Sequence, residues 1–312
     1  MRYYRIEIGG DTPAVYTSWV NGRNDPGALN VEFDIPVTAF ATPAGNAMVR
    51  VWGISLQTIS QARDFNGAPI KVFAGMQMGL PLANPKQAGV VVTGTILQAF
   101  GNWIGTAMTL DLIIIADGGA TPGNPKNIVF SWAKGTSLAA AITSTLQNAF
   151  PGFKVDIKIN TALSLAADEN GYFETVEQFA AYLKNMTAAI KGGTYTGVNI
   201  VLSQSVFSVY DGTTAATPVN IAFTDLIGQP TWIAPAQIQF NTVLRADLGV
   251  GDYVRLPPSI VTTTAPSQSQ YRDQSAFQGV FQLGFLRHVG NFRQPNAESW
   301  VTTFNCYPAP AS

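Results

Sequence analysis

His288 is the only histidine and Cys306 the only cysteine among 312 residues. Together they could form a thiolate–imidazole nucleophile. A transition-metal cage needs more nitrogen and sulfur ligands than these, and one cysteine makes no intrachain disulfide. His288 follows Arg287 and precedes Gly290-Asn291, a setting that suits a structural hydrogen-bond donor. Cys306 sits beside aromatic residues in a strand-like run, where a small buried filler fits. Gly135-Thr136-Ser137 is a helix cap and lacks the Gly-x-Ser-x-Gly of a nucleophile elbow. Gly249-Val250-Gly251 has neither the third glycine nor the following helix of a dinucleotide loop. Carboxylates are the remaining chemistry. Asp168-Glu169 with Glu174 and Glu177 could supply the acid and base of sugar hydrolysis, given two carboxyls roughly 5–9 Å apart. The same pairs flank a helix start, where acids complement the macrodipole, and Asp156 and Asp252 read as solvated. No catalytic, cofactor or metal site emerges, and the chain is expected not to be an enzyme.

The elements that would position such residues fall into three stretches. Within 1–120, residues 4–8 alternate and end at Gly9-Gly10, and residues 30–35 alternate and stop at Pro36. Strands at 48–52, 69–74, 89–97 and 107–115 follow, with one helical turn at 55–59. Six or more strands punctuated by glycine and proline predict a barrel or sandwich, and closure would leave no open edge. Residues 117–125 read as a boundary loop. Beyond it the period changes: Thr136 or Ser137 and then Thr175 cap two amphipathic helices, the second stopped by Gly192-Gly193. Strands at 153–159, 199–202 and 206–210 complete this part. The β pattern then returns, opening at 221–223 and 238–240 and interrupted by the polar run 262–270. The fold class is therefore mainly β with an α+β insert. A first β-barrel domain spans 1–120, an α/β middle domain 126–215, and a second β-barrel domain 216–312.

The last stretch repeats the first. Thr58-Ile59, Gly67 and Ile70-Lys71-Val72 match Thr242-Val243, Gly251 and Val254-Arg255-Leu256 at identical spacing. Gly94 and Gly101 match Gly279 and Gly290, and the strand at 108–112 matches the one that begins at Trp300. The offset of about 185 residues is too long for a solenoid period. It implies two copies of one domain. Gly67 and Gly251 are then expected at positive φ, equally sensitive to replacement at about 1 kcal/mol each.

Charged residues make up 12% of the chain, against roughly 25% in ordinary soluble domains. Such a surface is either covered by copies and partners or is neutral and rich in Thr, Asn, Gln and Gly. A net charge of −1 with no basic run excludes gripping nucleic acid by counterion release. The first residues lack the apolar core of a secretory signal, and no apolar run reaches bilayer length, so the chain is expected to be soluble and made in a cytoplasm.

Val49-Arg50-Val51-Trp52-Gly53-Ile54-Ser55-Leu56-Gln57-Thr58-Ile59, followed by residues 67–76, resembles the N-terminal barrel of tailed-phage baseplate hub proteins. This group is related to the hub of phage Mu and to the hub half of type VI secretion spikes. Residues 226–232, 241–248 and 251–254 are similar to the family's rear half, as are His288-Val289-Gly290-Asn291 and Trp300-Val301-Thr302-Thr303. Asn291 stands for the family's usual Asp and Met76 for its usual Tyr. The resemblance implies two similar barrels per chain and a homotrimer forming a six-membered ring. That ring would join the hexameric tail tube to the three-fold central spike and contact neighbouring baseplate proteins. Genomic DNA would pass through without specific binding. It further implies a virion location in the tail baseplate, assembly in the bacterial host cytoplasm, no cofactor and no membrane insertion. A contractile tail is expected, because hubs of long flexible tails usually carry a longer C-terminal extension. The competing expectations are a tail-tip peptidoglycan hydrolase and a host-receptor-binding protein using residues 268–275 with Tyr271.

Overall fold

A computed structural model describes residues 1–42, 45–78, 84–116, 125–159, 162–163, 165, 167–214, 217–257, 277 and 279–309. The expected boundary loop 117–125 lies outside them but for Pro125, as do the polar run 262–270 and the residues 268–275. The first part contributes β1 (Arg2–Ile8), β2 (Ala14–Thr17), β3 (Trp19–Val20), β4 (Arg23–Asn24), β5 (Val31–Val37) and β6 (Ala47–Trp52). After α1 (Leu56–Ser60) come β7 (Pro69–Met76), β8 (Gly89–Ile104) and β9 (Ala107–Ile115). Period-two patterning drives these strands: β5 buries Val31, Phe33, Ile35 and Val37 and leaves Glu32 and Asp34 on the other face. The short helix starts where Ser55 accepts the Thr58 amide at 3.1 Å.

Two expectations need correction. Pro36 does not stop β5. The strand pairs with β6 only as far as Asp34, so beyond that residue no described strand lies along that edge and a residue without N–H is tolerated. β8 does not end near residue 97 but runs 16 residues through Gly101.

The insert comprises β10 (Ile128–Trp132), α2 (Leu138–Ala149), β11 (Lys154–Lys158), β12 (Glu169–Phe173), α3 (Val176–Lys191), β13 (Asn199–Ser203) and β14 (Val206–Tyr210). Ser137 and Thr175 cap the two helices, each accepting an amide at 3.4 Å. Phe130, Trp132, Ile142, Phe179, Leu183 and Phe207 belong to its own core. β13 serves two cores at once: Ile200 and Leu202 point into the insert, while Val201 enters the main body. Lys158 Nζ ties the insert to the body through Asp252 at 2.7 Å and also meets Asp156 at 3.2 Å. Neither carboxylate is merely solvated.

β15 (Val219–Asn220), β16 (Thr231–Ala234), β17 (Gln237–Val243), β18 (Tyr253–Arg255), β19 (Val280–Asn291) and β20 (Trp300–Pro308) complete the chain. Residues 221–223 are not a strand; a 3-10 turn, Phe223–Asp225, lies there. The strands of both halves form one sheet, in the order β16-β17-β20-β19-β5-β6-β9-β8-β7-β1-β2, with β18 and β15 branching from β19. One continuous core, from Tyr4 to Cys306, underlies it. The fold is mainly β with a small helical insert. Hydrogen bonding closes neither half on itself among the described residues, because the edge of β5 opposite β6 is taken by β19. No described helix is long and apolar enough to cross a membrane.

Candidate assembly interface

The residues able to do chemistry are kept apart. His288 is 3% exposed, and its Nδ1 lies 2.9 Å from Thr302 Oγ1. That hydroxyl has one proton, which goes to the Arg245 carbonyl at 3.1 Å, while it accepts the Arg245 amide at 3.1 Å. His288 Nδ1 is therefore the donor. Burial pushes this imidazole down to about 4. An unfolded imidazole takes its proton near pH 6.5, so the contribution of His288 is full above that pH and is lost as pH falls toward 4. Between about pH 7.5 and about pH 4.5, the unfolding free energy of the chain should drop by about 2–3 kcal/mol more than that of His288→Gln.

Cys306 is sealed in the core against Leu283 and Ile238, its thiol pushed up to about 12 by burial. It does not reach His288, whose β20 neighbour is Thr302. Asp168 accepts the Lys134 amide at 2.7 Å, Glu169 accepts the Tyr182 hydroxyl, and Glu177 lies in the first turn of α3. No group of three His, Cys, Asp or Glu able to hold a metal occurs among the described residues. A cleft of about 290 Å³ between Phe40, Val92, Ile115 and Gln204 has Glu177 as its one charged lining residue among the described residues.

Sequence reading missed the buried cation. Arg245, also 3% exposed, makes a bidentate contact with Asp247 at 2.7 and 2.6 Å and reaches Asp225 at 3.2 Å. Asp225 also accepts Gln87 Nε2 at 3.0 Å, which fastens the two halves together. The signal was present: Arg245-x-Asp247 interrupts an apolar run.

In three dimensions the halves have matching strand orders, β5-β6-β9-β8-β7-β1 and β16-β17-β20-β19-β18-β15. The pairings agree in direction except the last, where β1–β7 is antiparallel and β15–β18 parallel. Gly67 donates to Ile96 O at 2.8 Å, and Ile96 donates to Ala68 O at 3.0 Å. Gly251 donates to Leu283 O at 2.8 Å, and Leu283 donates to Asp252 O at 2.9 Å. Directly after each contact comes a bulge, at Leu97 in β8 and Gly284 in β19. Ile70 and Val254, both buried, occupy one place, and Trp300 corresponds to Met108.

The other matched residues are displaced. Counted from the bulges, Gly94 corresponds to Phe281 and not Gly279, and Gly101 to His288 and not Gly290. Thr242 corresponds to Val51 in β6, whereas Thr58 lies in α1. Gly290 is inside β19, where a Cβ would stand 2.2 Å from the Phe33 ring.

β18 covers β19 only at residues 280–282; farther along, residues 286–291 pair with β5. Trp300 fills this seam, buried, its Nε1 donating to Gly75 O at 2.9 Å and its ring edge-on to Phe33 at 5.2 Å. Arg2 straps the following loop to β1 through Asn291 O at 2.7 Å and Asn296 O at 2.9 Å. The sheet face away from the core carries a cross-strand ladder. Arg287 pairs with Asp34, Arg50 with Asp111, Asn291 with Glu32 at 2.9 Å, and Gln239 with Asn305 at 2.9 Å. Its cations and carboxylates nearly balance.

No protein-family model and no curated protein matches the chain. In fold it is similar to the 43 kDa tail protein of prophage MuSo2 from Shewanella oneidensis, at 10% identity over 99% of this chain and 98% of that one, with a TM-score of 0.53. It is also similar to an Escherichia coli component of the type VI secretion system, described as structurally similar to two bacteriophage T4 tail proteins. That match has 9% identity over 98% of this chain and 79% of that one, with a TM-score of 0.53. The chain therefore has the fold of these phage-tail and type VI secretion proteins.

Proposed function

We propose that the chain is a structural hub of a phage tail baseplate. Three copies close into a ring of six near-equivalent β units, which joins a hexameric tail tube to a three-fold central spike. The observation that carries this reading is the matched strand order within one chain. Six similar units can meet a six-fold partner, while the unrepeated insert recurs three times per ring and suits a three-fold one. Head-to-tail contacts with a fixed rotation close into rings. The nearly balanced ladder supports a channel lining past which DNA slides, since a positive stripe would grip it. In this reading the protein is a virion component of the tail and not an enzyme.

Native mass measurement of the concentrated chain should give three chains of 33.3 kDa each, and images should show six lobes. A single-chain species under those conditions counts against the ring. Clearing of cell-wall material in a zymogram would favour a hydrolase.

A further inference from the structure

The junction inside the chain has a counterpart with half of its parts missing. At residues 286–291, β19 extends past β18 and takes β5 as its neighbour. By the bulge register, the same part of the first half is residues 99–104 of β8, lying beyond the reach of β7. Those residues pair with β9 on one side only. The Ala99 amide points to the other side, where Asn66 Oδ1 accepts it at 2.8 Å. Since amides alternate along a strand, Gly101 and Trp103 present their backbone groups to that same edge. Phe100, Trp103 and Ile104 are 45%, 64% and 77% exposed there. In the second half, the strand equivalent to β5 is β16, which among the described residues pairs only with β17 and ends the sheet. All four of its residues are exposed, Trp232 at 46% and Ile233 at 45%.

We propose that residues 99–104 of β8 pair antiparallel with β16 of a second copy of this chain, repeating between molecules the β19–β5 junction within one. The proposal deepens the ring reading and rests on it. The register follows from the internal junction. Val289 opposes Asp34, and their counterparts, counted through β17 and the bulges, are Asn102 and Thr231. His288 opposes Ile35, which sets Gly101 opposite Trp232. One step farther, Phe100 comes beside the bulge of β16, where Ile233 is the extra residue and Ala234 the counterpart of Pro36, which faces Arg287 in the internal junction. The internal seam thus carries an ion pair on its outer face, and the one between molecules carries an apolar contact. Two strand edges that no described strand pairs, with exposed large apolar side chains, are a liability in a lone molecule, and head-to-tail pairing removes both.

The test is oxidative cross-linking of the full chain carrying Asn102→Cys and Thr231→Cys, with native mass measured before oxidation. This pair is a non-hydrogen-bonded one, whose Cα separation of roughly 4.5 Å suits a disulfide. Cys306 is sealed in the core and does not compete. The expected result is a reducible covalent species of three times the single-chain mass. It should be absent from either single variant and from the off-register pair Gln98→Cys with Thr231→Cys. A three-chain native mass without the cross-link overturns the junction and leaves the ring. A single-chain mass without it overturns both. Cross-linking into an unclosed series of masses keeps the junction and overturns the three-fold ring.

Discussion

Trp300→Ala will destabilise the chain by about 3–5 kcal/mol, the range for removing a buried aromatic side chain. Three effects act together. The cavity opens at the seam between halves, where the indole meets Phe33 of β5 and carries the Arg2 guanidinium 5.7 Å from its centroid. The Gly75 carbonyl loses its donor, which costs about 1 kcal/mol in a buried place. Nearby Gly290 has no side chain with which to refill the space. Trp300→Phe keeps the ring and loses the N–H, so it should cost roughly 1–2 kcal/mol. Guanidinium unfolding midpoints of the two variants check this. A loss under about 1 kcal/mol for the alanine variant would mean that the seam collapses freely around it.

The second large effect is an inequality. Gly67 and Gly251 sit at φ +78 and +91 and make the same backbone contacts, yet alanine will not be tolerated alike. At Gly67 an added Cβ meets nothing within 4 Å, so the cost is the left-handed backbone, about 1–2 kcal/mol. At Gly251 the Cβ would stand 2.6 Å from the Tyr210 ring of the insert. Overpacking of about 1–3 kcal/mol then adds to the backbone cost, giving roughly 2–5 kcal/mol. Tyr210 is 9% exposed and cannot swing clear. Measured in a Tyr210→Ala background, Gly251→Ala should cost only about the 1–2 kcal/mol of the left-handed backbone. Equal losses at the two glycines would show that the insert yields at that contact.

Local chemistry was legible in the sequence, and register was not. Ser137 and Thr175 announce their helices because a cap is decided within four residues. Gly67 and Gly251 could be matched because each enforces one turn before one strand. Thr58 and Thr242 could not, since a β-branched pair fits a helix face as readily as a strand. The glycine matches at 94 and 101 slid by two residues, in opposite directions, because a glycine inside a strand fixes no register; the bulges stand at one place in both halves and leave the offset between them unchanged. Gly101 and Gly290 were paired on residue type alone, but what removes their side chains is a neighbour remote in sequence: Ile59 for one, Phe33 for the other. The pairing of β5 with β19 was invisible for the same reason. Alternation says which face is buried and never which strand lies alongside. Asp252 was misread because Lys158, its partner, belongs to the insert.

The β5–β19 seam also sets a timetable for biosynthesis. Asp34 and its partner Arg287 are 253 residues apart, so at roughly 5–20 residues per second the ribosome needs on the order of 13–50 s to deliver the second after the first. Throughout that interval the edge of β5 that β19 will cover must sit beside nascent and neighbouring polypeptides, with only β6 paired on the other side. Glu32 and Asp34 are suited to that wait, because carboxylates discourage promiscuous annealing. The charges that later pair across the mature seam double as a temporary guard on the growing strand.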